Sequence, residues 1–320
     1  MKAVVMAAAT IAGIVGLGGC STTATNPEAV VSAMTMECGQ LDIGLTPQED
    51  GLLLRVGEEA YLLEQTASAS GARYALPVDP STWLWSKGDR AQLESGGRRW
   101  PECVVAGGLT EPFVARGNEP FWQLTVEGGK LTLDPMEGPK VVADAEVIAA
   151  TATGRTVAGK HTAQSVQVAV ARQLCRDSMS GLPYPYQARL SANGETMSGC
   201  GGDPARLLQG VEWRVEAIDG EEVLQGPRVS INFLQEGRVA GKASCNNFMG
   251  GYQLSGEGLS FSQTATTMMA CAPEVMGQED RFLNVLAGVV QFDFDTSGAL
   301  VLTTTDGRTL TAQSHQTLGR

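Results

Sequence analysis

Few residues in this sequence have the types and spacing that catalysis needs. Its histidines are His161 and His315, and they fall in different segments, which argues against a Ser-His-Asp or Cys-His site. No Cys-x-x-Cys pair occurs, so zinc ligation is not expected. Gly237 to Ala243 imitates a phosphate loop, but too few residues separate its glycines and Ala243 stands where Ser or Thr should hold magnesium. Asp293, Asp295, Ser297 and Gly298 open like a calcium loop, yet Thr304 occupies the position of the bidentate Glu. Both stretches read as hairpin turns, and the sequence predicts no enzyme, no cofactor and no metal site.

The cysteines carry covalent chemistry of another kind. Lys2, followed by an uncharged apolar run from Ala3 to Leu17, has the form of a secretion signal. It is too short to span a bilayer, for which about twenty apolar residues are needed. Leu17, Gly18, Gly19 and Cys20 resemble the lipobox of bacterial lipoproteins, which implies that Cys20 is acylated, for example with palmitate, and becomes the mature N-terminus. Ser21 after it implies the outer membrane. Acyl chains at about 0.8 kcal/mol per buried CH₂ would hold the protein there without a spanning helix. The expected location is therefore the periplasmic side of the outer membrane, lipid-anchored. In that oxidising compartment the remaining cysteines read as disulfides. Many connectivities are open to six cysteines, but domains that each keep their own pair favour Cys38 with Cys103, Cys175 with Cys200 and Cys245 with Cys271.

A chain of 320 residues is long for one core, and length suggests several domains. Gly 39 and Pro 14 against an aromatic content of 6% imply many turns and modest cores. The net charge of −12 makes nucleic acid a poor partner and a basic protein a suitable one.

The elements that would position these residues are mostly strands. After the signal at 1–20 and a Thr-, Ala-, Asn- and Pro-rich tether at 21–33, we place domains at 34–106, 107–204 and 205–318. In the first, Leu52 to Val56, Ala60 to Leu63 and Trp83 to Trp85 are short apolar runs between Gly, Pro and Asp punctuation. Ala106 to Gly108 is a linker of small residues. In the second, Trp122, Leu124 and Val126 alternate with polar residues, Gly128 and Gly129 turn the chain, and Leu131 and Leu133 continue the pattern, as do Val166, Val168 and Val170. In the third, Val229, Ile231 and Phe233 alternate, Glu236 and Gly237 turn the chain, and Leu300 to Leu302 leads through Asp306 and Gly307 to Leu310. One helix is expected, with Phe282, Leu283, Leu286, Val289 and Val290 on one face and Glu279 and Asp280 in its first turn. The fold class is mainly β and multi-domain, and a disulfide in each small domain would gain about 4 kcal/mol in the chain-entropy model.

Ser68, Ala69, Ser70, Gly71, Ala72, Arg73 and Tyr74, followed by Trp85, Ser86, Lys87, Gly88, Asp89, Ala91 and Leu93, resemble the membrane-bound inhibitors of C-type lysozyme, the MliC-like family. The resemblance runs from about Met36 to Cys103. It implies a small antiparallel β-barrel whose Ser70 and Lys87 enter the lysozyme active-site cleft, with Gly71, Arg73, Tyr74 and Gly88 around them. Lysozyme works with two carboxyl groups flanking the scissile bond, so a hydroxyl and an ammonium on one rigid loop pair can bond to both and exclude the sugar.

Gly241, Ser244, Cys245, Asn246, Asn247, Gly250 and Tyr252, then Thr266, Thr267, Met268, Ala270, Cys271 and Glu279, resemble the META or HslJ-like family. That resemblance implies an antiparallel β domain with one helix and a link to envelope stress, with Asn246 and Asn247 read as turn and hydrogen-bonding residues. Gly117, Asn118, Glu119, Pro120, Phe121 and Trp122, with Cys175, Asp177, Met179, Ser180, Tyr184 and Pro185, resemble a family of uncharacterised bacterial lipoproteins. Phe121 and Trp122 should divide between the faces of a strand, and Glu119 beside them is a candidate pocket residue. The function expected first is inhibition of C-type lysozyme by an outer-membrane lipoprotein. The rival is an envelope-stress binding or structural protein acting through its META-like domain.

Overall fold

The computed structural model describes residues 33–160 and 165–318. The signal, Cys20, the tether and His161 lie outside the described residues. What is described is mainly β, with one α-helix.

Nine strands between Met34 and Val105 form the first sheet. Each strand from Met34–Cys38 to Asp79–Lys87 pairs antiparallel with the next. Asp79–Lys87 pairs with Arg90–Ser95, and Cys103–Val105 joins Arg90–Ser95 back to Met34–Cys38. Arg98–Arg99 pairs only at Arg90–Ser95, so the other eight strands close into a barrel. Its interior follows the strand period of two: Leu41, Ile43 and Leu45 face in, as do Leu52, Leu54 and Val56. Trp100 fills the same core, and so does Leu318, which arrives from the end of the third segment.

The second sheet is a closed barrel of the strands Phe113–Asn118, Phe121–Glu127, Lys130–Pro135, Val141–Thr151, Gly154–Lys160, Ser165–Ala171, Tyr186–Ala192 and Glu195–Gly201. Trp122, Leu124 and Val126 face in across the hairpin from Leu133 and Leu131. Phe121 stays 44% exposed while Trp122 is 1% exposed, so the adjacent aromatics divide between the two faces. The small-residue linker is itself packed: Gly107 and Gly108 are buried, Ala106 N donates to the Thr35 carbonyl, and Leu109 joins the second core.

The third sheet has ten strands, the longest path running from Gly258–Phe261 to Val289–Phe294 with Val229–Phe233 and Glu212–Ile218 at its centre. The helix Pro273–Ala287 packs on it through Phe282, Val285 and Leu286, with Phe282 5.5 Å from the Phe248 ring. Here the sequence expectation needs correction. Glu279 and Asp280 lie in mid-helix, because Pro273 opens the helix and Glu274 is the acid of its first turn. Val289 and Val290 belong to the strand Val289–Phe294, since the helix stops at Gly288. Their spacing merely continues the helical stripe.

Disulfides join Cys38 to Cys103, Cys175 to Cys200 and Cys245 to Cys271. The three sheets meet around the turn at Gly39. Gln40 N donates to the Gln209 carbonyl at 2.8 Å, and a Cβ on Gly39 would come within 2.5 Å of that same oxygen. The buried Arg206 donates to the carbonyls of Glu37 at 3.0 Å and Glu102 at 2.9 Å. Arg172 Nη1 lies 2.7 Å from Glu37 Oε1.

Candidate functional site

Ser70 and Lys87 stand in different motifs, and the strand register brings their neighbourhoods together. Ala72 pairs with Ser86, Arg73 with Trp85 and Tyr74 with Leu84. Continuing that ladder past Ala72 carries the chain to Gly71 and Ser70 beside Lys87 and Gly88. Gly71 has φ +66°, and a Cβ on it would collide with the Ser86 carbonyl and lie 3.3 Å from the Lys87 Cβ. Only glycine combines that backbone with that approach. Pro77 lies in the turn at the far end of this hairpin and Pro80 just past it, away from Ser70 and Lys87.

The loop is held by its own neighbours. Trp85 Nε1 donates to the Ser70 carbonyl at 2.8 Å, and Ser68 Oγ donates to the same oxygen at 2.6 Å. The Ser70 hydroxyl is left free of these bonds on an exposed residue. Lys87 is exposed and has no ion-pair partner among the described residues. The turn after it is anchored: Val105 N donates to the Asp89 carbonyl at 3.0 Å, and Arg155 of the second barrel lies 3.4 Å from the Asp89 carboxylate. Arg73 and Tyr74 sit differently. The Arg73 guanidinium lies 5.0 Å from the Trp83 ring centroid and 3.4 Å from Thr66 Oγ1, while Tyr74 packs partly against the barrel core. Trp85, whose indole pins the Ser70 carbonyl, belongs to the site although sequence reading gave it no role; its place in the same motif as Lys87 was the available signal.

The META-type motif is an internal brace. Asn246 is buried; its backbone N and its Nδ2 donate to the two Glu279 carboxylate oxygens at 2.6 and 2.8 Å. Asn246 Oδ1 accepts from Thr267 Oγ1 and from Met269 N. Ser244 Oγ accepts from Gln278 Nε2 at 3.0 Å. These bonds tie the loop stapled by Cys245 and Cys271 to the helix, and they consume the polar groups that a ligand would need. Asp295 likewise caps its own hairpin turn: its carboxylate accepts from Ser297 and Ala299, which holds it below the usual carboxylate range, the Ser297 hydroxyl contributing most.

In the second barrel, Asn118 donates to Asp177 at 2.9 Å. Glu119 is exposed, and it is Pro120, Phe121 and Trp122 that line a recess of about 480 Å³. No group of His, Cys, Asp and Glu suited to a metal ion occurs among the described residues.

Residues 38–99 match the family described as membrane-bound lysozyme-inhibitor of c-type lysozyme, and residues 206–317 match the META domain. No curated protein matches the chain. Among solved structures, an NMR structure of a protein from Burkholderia xenovorans is 25% identical over 35% of this chain and 86% of that one, with a TM-score of 0.31. The chain thus combines an MliC domain and a META domain, which in sequence precede and follow a closed eight-stranded barrel.

Proposed function

We propose that this protein is a lipid-anchored inhibitor of C-type lysozyme in the cell envelope, and that its first barrel acts by delivering Ser70 and Lys87 into the enzyme's cleft. The observation that carries the reading is the approach of Gly71 to Ser86 and Lys87, which gathers two separated motifs of an MliC domain at one exposed edge. An unpaired ammonium and a free hydroxyl suit a target whose catalysis depends on two carboxyl groups. The loop is held by Trp85 and Ser68 before any partner arrives, so little ordering cost falls on association. A net charge of −12 favours encounter with a basic enzyme. Cys20 would supply the anchor, and Ser21 supports the outer membrane as its destination.

The test is residual lysozyme activity on cell walls against concentration of the mature chain. Losing one partner of a buried charge pair costs about 2 to 5 kcal/mol, so Lys87→Ala should weaken inhibition about thirtyfold or more. Ser70→Ala should cost about 1 kcal/mol, roughly fivefold. Equal inhibition by wild type and Lys87→Ala would reject the mechanism, and absence of inhibition by wild type would leave the META domain as the seat of function. For the anchor, Cys20→Ala should keep the protein out of the detergent phase; unchanged partitioning would dismiss the lipid.

A further inference from the structure

We propose that the mouth of the second barrel is a binding site for a small apolar molecule with a neutral or cationic head group. The proposal is independent of lysozyme inhibition.

Eight strands enclose an interior that side chains just fill or that holds one small ligand. In the second barrel the choice differs between the ends. Phe113 and Tyr186 close one end edge to face, with ring centroids 5.9 Å apart. At the other, the hairpins at 118–121 and 192–195 and the connection at 135–141 surround the recess of about 480 Å³. That volume falls within the range of small-molecule pockets, roughly 300 to 1,000 Å³.

The recess is built by inward positions of neighbouring strands. Trp122 pairs with Pro135, Val166 with Ala192 and Leu190 with Met197, and all six line the recess. Trp122 forms part of the lining, and a Cβ on Gly199 would come within 2.7 Å of its ring. Gly117 and Gly199 thus leave the indole the space it occupies. The Trp122 Nε1 is buried without a hydrogen-bond partner among the described residues. Buried indole N–H groups normally find one; this one is packed against Gly117, where a Cβ would come within 2.2 Å of it. Phe121, 44% exposed, and Met136, 74% exposed, add apolar surface at the rim.

The rim decides the head group. Among the described residues, the charged side chains that line the recess are Glu137 and Glu195. The nearby Lys140 ammonium lies 3.8 Å from Asp134 and is engaged there. Two carboxylates at the entrance oppose a carboxylate ligand and attract an ammonium. An apolar, poorly hydrated space with such a rim selects apolar bodies and rejects fatty-acid-like anions.

The mature chain should bind the neutral fluorophore N-phenyl-1-naphthylamine saturably at one site, with a change in tryptophan emission. Dodecyltrimethylammonium should displace it at a concentration about tenfold below that needed for laurate, a difference of about 1.4 kcal/mol. Ala192→Phe, which fills the recess, should weaken binding of the fluorophore at least about tenfold with an unchanged circular dichroism spectrum. Reversing the rim with Glu137→Lys and Glu195→Lys together should make laurate the better competitor. Absence of saturable binding, or binding that Ala192→Phe leaves intact in a folded protein, overturns the site. Equal competition by the two detergents overturns the head-group assignment. If Ala192→Phe does not fold, the rim variant decides: reversed preference supports the site, and unchanged preference rejects it.

Discussion

Two closed eight-stranded barrels lie in one chain and use their interiors in opposite ways. In the first, part of the filling comes from outside the ring of strands: Trp100 is 0% exposed and Leu318, from beyond the third sheet, is 3% exposed in the same core. Its chemistry is consequently external, on a loop pinned to the barrel wall. The second barrel is filled from its Phe113 end through Leu124 and Leu190, while the described residues leave an apolar recess at its other mouth. Strand number sets the width of a barrel, but the side chains offered to its ends decide whether it is a scaffold or a container.

The sharpest way to break this comparison is to exchange the two conditions. Trp100→Ala should cost about 3 to 5 kcal/mol, because the first barrel is packed on all sides of that ring and cannot collapse onto the void. Ala192→Phe at the second mouth should cost less than the 1 to 3 kcal/mol typical of overpacking. Urea unfolding followed by near-ultraviolet circular dichroism measures both. A Trp100→Ala loss no larger than that of Ala192→Phe would erase the distinction between filled and open.

A smaller effect tests whether the external loop of the first barrel is rigid by design. Trp85→Phe keeps the ring but removes the donor to the Ser70 carbonyl, worth about 1 kcal/mol. Lysozyme inhibition should weaken roughly fivefold while the unfolding midpoint moves little. A large stability loss with unchanged inhibition of the folded fraction would show that Trp85 serves the barrel and not the loop.

The smallest effect lies at the seam between the barrels. Burial raises the Glu37 carboxyl above its ordinary value of 4.5, and Arg172 opposes that rise. The folded protein therefore holds this proton more tightly than the unfolded chain does. Stability should fall as pH rises from about 4.5 through the raised folded value, and level off above it. Glu37→Gln should lack this fall. Unfolding free energies between pH 4 and 7 check it; a wild type that gains stability relative to Glu37→Gln across this window would mean that the Arg172 pairing outweighs burial.

Much of the strand architecture was legible because it depends on a short period. Trp122, Leu124 and Val126 across from Leu131 and Leu133 announce a hairpin, and the alternation leaves no other face for the core. The helix was misjudged for the converse reason. Val289 and Val290 prolong a helical stripe by coincidence of spacing, while the true start at Pro273 carries no side-chain cap to announce it. The candidate site was legible as two motifs. That they adjoin follows from the pairing of Ala72–Leu76 with Asp79–Lys87, which a motif alone does not state.

By itself the sequence determined which residues alternate, where the chain turns and how charge is distributed, because these properties reside in neighbours along the chain. The tertiary structure alone decided what lies between distant residues. It seats Leu318 in the first barrel, and Asn246 on Glu279 in place of a ligand. It sets Arg206 against the carbonyls of Glu37 and Glu102, and among the described residues leaves a recess at one barrel mouth. Each of these depends on how much space three packed sheets leave to a side chain, and space is a property of the assembled fold.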